Sequence, residues 1–491
     1  MSLKTRALVA VLLMVGFYVL ALGIAAGLTW IAYADWAYRN SLDRLEIACL
    51  IAAGIVLWSM LPRIDRFVAP GPRITSEGEP ELFAEISSIA KSTGQQMPAE
   101  VYLCPEVNAW VAQRGGIAGL GSRRVMALGV PLMSLLTVSQ FRAVLAHEFG
   151  HYHAGDTKLS PWVYKTRVAI IRTVKNLSSH RSYLAYLSYL FKWYAEMFLR
   201  VTLSISRSQE YAADQLAARF AGGNALAEGL KQLHRGSAAW MGYLQTEVGP
   251  VLSAGFMPQV AQGLSYFLKA PNISRVVEAS LQEELAGGKA DPYDSHPSLR
   301  QRLAALQAAP SNNANEDSRP SIALLRDVQA ADSSLLNAEG LAKAHTPVSW
   351  DRVEEVVWVP SWRSQVDEQA AALRSVRVRD LAELLGTHEL DRRVKSPPGI
   401  MPSIDQRANM ARGLAGCALA LALLRAGWNF HTLPGEAYCE KDSHRLEPFS
   451  LVSQILTDEN VRRGWQELCI SNGIGDLPLG TESNASAASE T

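Results

Sequence analysis

The chain has 491 residues, 48% of them hydrophobic and 19% charged, and its 47 basic residues balance 47 acidic ones. A net charge of zero and the lack of a basic, aromatic binding module exclude nucleic acid as an expected partner. The five cysteines are widely spaced and form no C-x-x-C pair, which argues against a disulfide framework and favours a reducing compartment.

Two apolar segments near the start of the chain predict two transmembrane helices. Residues 7–34 contain no charged residue, and 28 helical residues extend about 42 Å, more than a hydrocarbon core of about 30 Å. Residues 47–62 form a shorter segment of 16 uncharged residues, whose flanking charges can reach the interface. The alternative for the first segment is a secretory signal peptide cleaved at Ala25-Ala26.

Flanking charges predict that everything after the second segment lies in the cytoplasm. Five basic residues flank the side that holds the N-terminus, against two in the connecting loop, and positive charge marks the cytoplasmic side. The stretch 157–195 contains seven basic residues, many aromatic ones and no acidic residue, a composition attracted to an anionic leaflet. We therefore expect an integral protein of the plasma or inner membrane, with the lipid bilayer as a partner.

The region that follows predicts a small sheet and an amphipathic helix. Residues 80–92 have helical apolar spacing, whereas residues 100–104 and 124–130 are short apolar runs bounded by Gly and Pro, typical of strands. The second run either holds an extended peptide along its edge or is ordinary sheet core, and both interpretations stay open.

An H-E-x-x-H motif lies in a helix predicted at residues 138–153. That helix begins at a capping box starting with Thr137 and continues with apolar residues spaced by three and four. His147 and His151 stand on one face of it and can bind one metal ion, while Glu148 can reach a water molecule at that ion. Zinc is the expected metal, one ion per chain, because neutral imidazole suits it and hydrolysis needs an open position.

A second segment, from Glu210 to Asp214, supplies the remaining candidate ligand. These two acidic residues are four apart, so they face the same way on a helix. Glu210 would coordinate the metal, and Asp214 would hold the second nitrogen of a ligating histidine. Without the upstream motif, a solvated helix face would be the simpler interpretation of this pair.

The motifs resemble those of the HtpX-like integral-membrane zinc metalloproteases, to which the CaaX prenyl proteases are distantly related. The likeness covers about residues 70–308. It rests on His147-Glu148-Phe149-Gly150-His151, on Asp156, on Glu210 with Asp214, on Asn108-Ala109-Trp110, and on His296-Pro297 followed by Arg302.

The resemblance implies a zinc endopeptidase with a gluzincin-type core that acts on proteins or peptides. The implied roles are metal ligands at His147, His151 and Glu210, a catalytic base at Glu148, an oxyanion-stabilising group at His296, supporting contacts from Asp214 and Asp156, and substrate contacts at Asn108 and Ala109.

The segment 157–206 separates the two metal-binding helices, and charges interrupt its apolar residues. We expect one or two amphipathic helices that lie on the membrane or cover the cleft. In family members this region often spans the membrane. The number of spans is therefore two, or four if the segment inserts.

The sequence predicts five segments along the chain. They are a membrane region at 1–69, a metalloprotease domain at 70–308, a linker at 309–320, a C-terminal region of unknown role at 321–476, and a disordered tail at 477–491. Within the C-terminal region, the apolar run 413–424 is too short to span a membrane and predicts a buried helix.

The expected fold is mainly α with a small β-sheet, an α+β arrangement. A zincin-type domain follows a transmembrane helix pair and precedes a mostly helical C-terminal region. The leading hypothesis is a membrane-anchored zinc endopeptidase that cleaves membrane or membrane-proximal proteins in quality control or processing. One alternative is a metal-stabilised membrane scaffold or chaperone-like protein without turnover, and another is a periplasmic protease released from a cleaved signal. The sequence does not indicate an oligomeric state.

Overall fold

The structure is a computed structural model that describes residues 3–40, 43–61, 67–114, 122–153, 160–178, 184–287, 296–307, 316–338, 345–396 and 402–480. The described chain is mostly helical with small sheets, which confirms the expected fold class. It divides into two compact units, Met1–Ala238 with Val277–Ala338, and Ala239–Val276 with Glu339–Thr491. The predicted segment boundaries stay predictions.

Helices account for most of the described residues. The α-helices are α1 Leu3–Arg39, α2 Arg44–Met60, α3 Pro80–Ser92, α4 Val130–Leu135, α5 Val138–His153, α6 Ser160–Ser178, α7 Leu184–Ala217, α8 Gly223–Tyr243, α9 Gly249–Ser253, α10 Val260–Lys269, α11 Pro271–Gly287, α12 Leu299–Gln307, α13 Val328–Ala338, α14 Trp350–Val353, α15 Val359–Glu368, α16 Leu381–Gly386, α17 Glu389–Arg393, α18 Ile404–Arg425, α19 Pro448–Thr457 and α20 Glu459–Ser471. Tighter or wider helical turns lie at Ala218–Gly222, Leu244–Val248, Ser321–Leu324, Glu354–Trp358 and Val378–Asp380.

The strands form three small sheets. They are β1 Arg73–Ile74, β2 Glu100–Cys104, β3 Ala109–Arg114, β4 Arg123–Gly129, β5 Phe256–Pro258, β6 Thr346–Val348, β7 Asn429–Leu433, β8 Glu436–Lys441 and β9 His444–Leu446. The first four form one sheet in the order β1-β2-β4-β3, in which β2 and β4 are parallel and the outer pairs are antiparallel.

The sheet of the first unit decides between the two interpretations of the run 124–130. Both predicted strands are confirmed to within one residue, as β2 and β4. β4 is one of the two inner strands, and its residues from Val125 to Leu128 are fully buried. The run is therefore sheet core. The edge strand on that side is β3, which lies where no strand is predicted.

The helix that carries the H-E-x-x-H motif is confirmed as α5, with the predicted bounds. It starts at the predicted capping box, in which the Thr137 N–H donates to Gln140 Oε1 at 3.0 Å and the Gln140 N–H to Thr137 Oγ1 at 3.3 Å. Arg142 ties α5 to α3 through a bidentate pair with Glu85, with N–O distances of 2.6 and 2.7 Å. The start and the middle of the metal-binding helix are thus both anchored.

Residues within the predicted linker also fasten the start of α5. The carbonyl of Arg319 accepts the Val138 N–H at 2.8 Å, and that of Asp317 accepts the Ser139 N–H at 3.1 Å. These carbonyls satisfy N–H groups that the first turn of a helix cannot pair internally. The linker residues before 316 lie outside the described part of the chain.

The segment 157–206 contains α6 and the first part of α7, and these helices pack against α1 and α2. The core that these four helices share consists of Phe17, Ala21, Val56, Ala169, Ile170, Leu177, Phe191, Tyr194 and Phe198. Polar contacts join them as well, since the Tyr194 hydroxyl donates to the Leu13 carbonyl and Arg172 donates to the Ser59 carbonyl at 3.3 Å. The apolar faces of the two amphipathic helices therefore meet the N-terminal helices.

Within the described residues, one helix is long and apolar enough to cross a membrane. It is the stretch Thr5–Arg39 of α1, 35 residues long with a mean hydropathy of 2.7 in its most apolar window. The second predicted span, 47–62, is not found as a full-length span. It falls in α2, whose 17 residues extend about 25 Å, short of a hydrocarbon core of about 30 Å.

The second unit is built around α18. Most residues of this helix between Ala411 and Leu423 are buried, and α15, α17 and α19 pack on it. The buried helix predicted at 413–424 is therefore confirmed. The three strands β7, β8 and β9 form an antiparallel sheet in the same unit.

The first residues of the predicted disordered tail are ordered. Leu479 is fully buried, and its N–H donates to the Val376 carbonyl at 3.0 Å. Arg425 donates to the carbonyls of Pro478 and Gly480, at 2.9 Å each. The prediction is wrong for these residues because a single buried leucine and its backbone partners hold the segment. Residues from 481 onward lie outside the described part of the chain.

Candidate metal centre

Two histidines of α5 point into one small space. The His147 ring is buried and the His151 ring is partly exposed, and their centroids lie 4.9 Å apart. This spacing follows from their separation by four residues on one helix face. Glu148 is the next residue after His147, and the charge of His147 acts on its carboxylate.

The helix α7 brings two carboxylates to these histidines. Glu210 is 4% exposed and Asp214 is 1% exposed. The two helices approach closely where Gly150 of α5 faces Ala213 of α7, because neither residue carries a bulky side chain. The third candidate ligand therefore reaches the histidines from a helix that lies far away in the sequence.

The side chains of His147, His151 and Glu210 form a group that fits a metal ion. One ligand atom from each lies within 4.8 Å of the others. His147 Nε2 is 3.5 Å from Glu210 Oε2, and His151 Nε2 is 3.7 Å from Glu210 Oε1. Tetrahedral ligands of zinc are about 3.4 Å apart when each bond is about 2.0–2.1 Å. Glu210 Oε2 is buried without a hydrogen-bond partner among the described residues, as expected of an oxygen that would bind a cation.

Asp214 lies behind His147, on the side away from that group. Its Oδ1 is 2.9 Å from His147 Nδ1, so the Nδ1–H donates to Asp214 and Nε2 faces Glu210. Burial alone would raise the pKa of Asp214. The hydrogen bonds from His147 and Arg302, together with the charge of Arg302, outweigh burial and hold that pKa below its ordinary value.

Burial dominates the ionisation of Glu148 and His151. It raises the pKa of Glu148 to about 7, while the charge of His147 and the N–H of Val111 act in the opposite direction. It lowers the pKa of His151 to about 4, and the charge of His147 acts in the same direction. His151 is therefore neutral above about pH 5, in the form that binds metal ions. Without a metal ion, Glu148 therefore titrates near neutral pH.

His296 joins the cluster on its exposed side. Its Nδ1 is 3.0 Å from Glu210 Oε1, and 59% of its side chain is exposed. Burial alone would raise the pKa of Glu210, but the hydrogen bond from His296 and the charges of His147 and His151 leave that pKa lowered. Glu210 is consequently ionised, as a metal ligand must be.

The structure gives no contact between the other predicted site residues and the described residues of the metal centre. Asn108 and Ala109 lie where β3 begins, and Asn108 Oδ1 accepts the Ala109 N–H at 2.9 Å. Ala109 itself is buried. Asp156 lies outside the described residues, so its supporting role stays a prediction.

The edge strand β3 passes beside Glu148. Gly129 is the last residue of β4, and its N–H donates to the Asn108 carbonyl at 2.8 Å. Because pairing alternates along an antiparallel ladder, Val111 and Gln113 turn their backbone groups away from β4. The Val111 N–H donates to the Glu148 carboxylate. The outward edge of β3 therefore runs along the site.

The sequence comparison includes Arg302 in the element that starts with His296-Pro297 but gives it no role, and the structure shows that it is buried in this site. Its Nε lies 2.9 Å from Asp214 Oδ2 and its Nη2 lies 2.6 Å from Asp214 Oδ1. The spacing of Leu299, Arg302 and Leu306 on α12 contains the signal that was missed. An arginine on the apolar stripe of an amphipathic helix is buried only with a partner.

The site lies within a region that is similar to known peptidases. Residues 76–309 match the family model described as peptidase family M48. The chain is 25% identical over 253 residues to a protein named "Protease HtpX homolog" from Methylacidiphilum infernorum (isolate V4), which covers 48% of this chain and 74% of that protein. No solved structure matches the chain. The family match includes every described residue of the candidate metal centre.

Proposed function

We propose that the chain is a membrane-anchored zinc endopeptidase of the HtpX-like kind, and the proposal starts from the match of residues 76–309 to the model of peptidase family M48. The observation that carries the proposal is the group of His147, His151 and Glu210 with Glu148 at its side. Two imidazoles and one carboxylate suit zinc, whereas calcium and magnesium prefer oxygen ligands alone.

The residues of the site divide the work of peptide-bond hydrolysis. Zinc, when bound, supplies a Lewis acid that polarises the scissile carbonyl and makes water more acidic. Glu148 accepts a proton from the attacking water and passes it to the leaving amine, and the Val111 N–H orients its carboxylate. His296 stands on the exposed side of Glu210, and we assign it the stabilisation of the oxyanion.

The substrate would bind as an added strand along β3. Backbone groups of Val111 and Gln113 face away from β4, and the Val111 N–H is taken by Glu148, so an extended peptide would pair with the Val111 carbonyl and the backbone of Gln113. Asn108 and Ala109 lie where this edge begins, and their substrate contacts are part of the proposal. Main-chain pairing tolerates many side chains, as an enzyme that cleaves varied proteins requires.

The bilayer would hold the enzyme next to membrane substrates. α1 supplies one span, and α2, which packs along α1, would return the chain by local thinning of the bilayer. The surface of α6 and α7 exposes Trp162, Tyr164, Tyr186, Tyr189 and Trp193. Lys165 stacks on Trp162 at 5.9 Å and Lys192 on Tyr189 at 5.1 Å, as expected of a basic, aromatic surface at anionic headgroups.

The proposed position at the bilayer suggests where the catalytic domain lies and which proteins it cleaves. The catalytic domain would face the cytoplasm, where five flanking basic residues favour retention. Its substrates would be membrane or membrane-proximal proteins, cleaved during quality control or processing. The periplasmic alternative would require cleavage of the chain at Ala25-Ala26, which N-terminal sequencing of the mature protein detects.

A cleavage assay on the purified full-length protein in lipid nanodiscs tests the proposal. The substrate is an unfolded casein, and the arms are added zinc, a chelator, and the variant Glu148→Gln with stoichiometric zinc. We expect cleavage only in the first arm, because glutamine can hydrogen-bond to water but cannot accept its proton. Full activity of Glu148→Gln would contradict the assignment of the base.

The same assay separates the enzyme from the scaffold alternative. A metal-stabilised scaffold or chaperone-like protein would bind zinc, melt at a lower temperature with chelator, and cleave nothing. The ionisable Glu148 beside the ligand group favours the enzyme, because a purely structural zinc site is closed by four protein ligands and needs no base.

A further inference from the structure

Arg302 connects α12 to the metal centre, and its shortest contacts there are with the carboxylate of Asp214. The residue is 9% exposed, and its guanidinium holds both oxygens of Asp214, with distances of 2.9 Å from Nε to Oδ2 and 2.6 Å from Nη2 to Oδ1. A bidentate pair of this kind fixes the plane of the carboxylate as well as its position.

The same carboxylate oxygen also serves a metal ligand. Asp214 Oδ1 accepts from Arg302 and lies 2.9 Å from His147 Nδ1. Arg302 Nη2 is 3.3 Å from that ring nitrogen, so the guanidinium, the carboxylate and the imidazole touch one another. The orientation of Asp214 therefore decides where the His147 Nδ1–H points, and with it where Nε2 faces.

We propose that Arg302 is a positioning residue for the metal ligand His147 and that it acts through Asp214. The inference rests on the metal-binding part of the proposed function. Without Arg302, the Asp214 carboxylate would keep one described partner, His147, and could turn about its side-chain torsions. His147 would then lose the fixed contact that orients its ring, and contacts of this kind change metal affinity by about 10- to 100-fold.

The competing interpretation is that Arg302 merely braces α12 against α7. A brace would affect the melting temperature and leave zinc affinity unchanged. The guanidinium lies against a ligand ring and near Glu210, with Nη1 3.7 Å from Glu210 Oε2, which a remote brace would not require. Zinc affinity, measured apart from both stability and activity, distinguishes the two interpretations.

The experiment is a double-mutant cycle of zinc affinity on the full chain. The variants are Arg302→Met, Asp214→Asn, both together, and Arg302→Lys, with Arg235→Met as the control. Arg235 is a partly exposed arginine that pairs with one oxygen of Glu278, at 2.9 Å from Nη2 and 3.1 Å from Nε, and Glu278 does not belong to the metal centre. Affinity comes from competition with a chromophoric chelator, and cobalt absorption spectra report the ligand geometry.

We expect Arg302→Met to weaken zinc binding by about 10- to 100-fold, and the double variant to be no weaker than the weaker single variant. Arg302→Lys should fall between, because an ammonium retains the charge but lacks the planar fork. It also serves as the test if Arg302→Met does not fold. Arg235→Met should bind zinc like the parent protein.

Two results would overturn the inference. One is parental zinc affinity in Arg302→Met, or in Arg302→Lys where Arg302→Met does not fold, and the other is a double variant whose loss equals the sum of the single losses. Failure of the proposed protease function gives a different result. A parent protein that binds zinc but cleaves no substrate would contradict the protease function, and the zinc affinities of the variants could still be compared. Conversely, if the Arg302 variants bind zinc as tightly as the parent protein, the inference about Arg302 is wrong, while the parent protein can still cleave its substrate.

Discussion

Gly150 on α5 faces Ala213 on α7 so closely that a β-carbon on Gly150 would lie 2.8 Å from the Ala213 Cα and 3.0 Å from its Cβ. Contacts of that length do not occur between packed residues, so any side chain at position 150 must push the helices apart. These are the helices that carry His147, His151 and Glu210, and their separation therefore sets the size of the metal centre.

We predict that Gly150→Ala weakens zinc binding and lowers the melting temperature. Alanine gains about 1 kcal/mol over glycine inside a helix, but overpacking costs about 1–3 kcal/mol and falls here on backbone atoms. The control is Gly464→Ala in α20, where a β-carbon meets nothing within 4 Å. It should leave zinc binding unchanged and raise stability slightly. A Gly150→Ala protein with parental zinc affinity would show that the helix spacing is not limiting.

The two carboxylates of α7 should respond differently to substitution. Glu210→Ala removes a ligand and should abolish stoichiometric zinc binding, whereas Asp214→Asn alters a supporting contact and should weaken affinity by about 10- to 100-fold. Asp214→Asn also leaves Arg302 buried without its counter-charge, so its melting temperature should fall further. Zinc titration and thermal unfolding of both variants check this. Tight zinc binding by Glu210→Ala would require another ligand, with Asp156 the next to test.

Zinc binding near pH 6 should release a proton from Glu148. Burial raises the pKa of this group to about 7 in the metal-free protein, so at pH 6 it is mostly protonated. A dication nearby favours the ionised form and lowers that pKa, which expels the proton. His151 contributes none, because its pKa is already lowered to about 4 and it is neutral at that pH.

Calorimetric titration in buffers of different ionisation enthalpy measures this release. The number of protons released at pH 6 should be lower for Glu148→Gln than for the parent protein, and the difference should vanish at pH 9, where Glu148 is ionised before zinc binds. Equal release from both proteins at pH 6 would place the titrating group elsewhere.

We predict that the edge of β3 binds the substrate through its backbone groups. Gln113→Pro removes an outward N–H without touching the ladder to β4, so fold and zinc affinity should be kept. Loss of one hydrogen bond to an added strand costs about 0.5–1.5 kcal/mol, or roughly 2- to 10-fold in kcat/KM. Gln113→Ala is the matched control, because it removes the side chain and keeps the N–H. If both variants lose the same activity, the side chain and not the strand edge binds the substrate.

Reporter fusions test the proposed topology. A reporter active only in the cytoplasm should be active after Arg73 and silent after Arg39, because basic residues hold the N-terminus inside and α2 returns the chain. The weak element is α2, at about 25 Å. If it does not span, the two fusions should give the same result, and the cytoplasmic assignment would be wrong while the metal chemistry stands.

Features that depend on neighbouring residues were predictable from the sequence. The helix α5 has the predicted bounds because its capping box and apolar spacing are local, and the rings of His147 and His151 meet because four residues make about one turn. The apolar stretch of α1 and the buried helix α18 follow from composition in the same way. The H-E-x-x-H motif and the four-residue spacing of Glu210 and Asp214 suggested the pairing of these carboxylates with those histidines, and the likeness to a known family supported it.

Other features depend on which distant segments pack together, and only the tertiary structure decided them. Among the described strands, β3 lies at an edge of its sheet because β4 pairs with β2 on its other side, which no local pattern encodes. Arg302 reached Asp214 across 88 residues because α12 packs on α7. Periodicity assigns a residue to a face of its own helix or strand. What that face meets is set by the free energy of the whole packed core, where a buried arginine is stable only opposite a carboxylate that the fold brings to it.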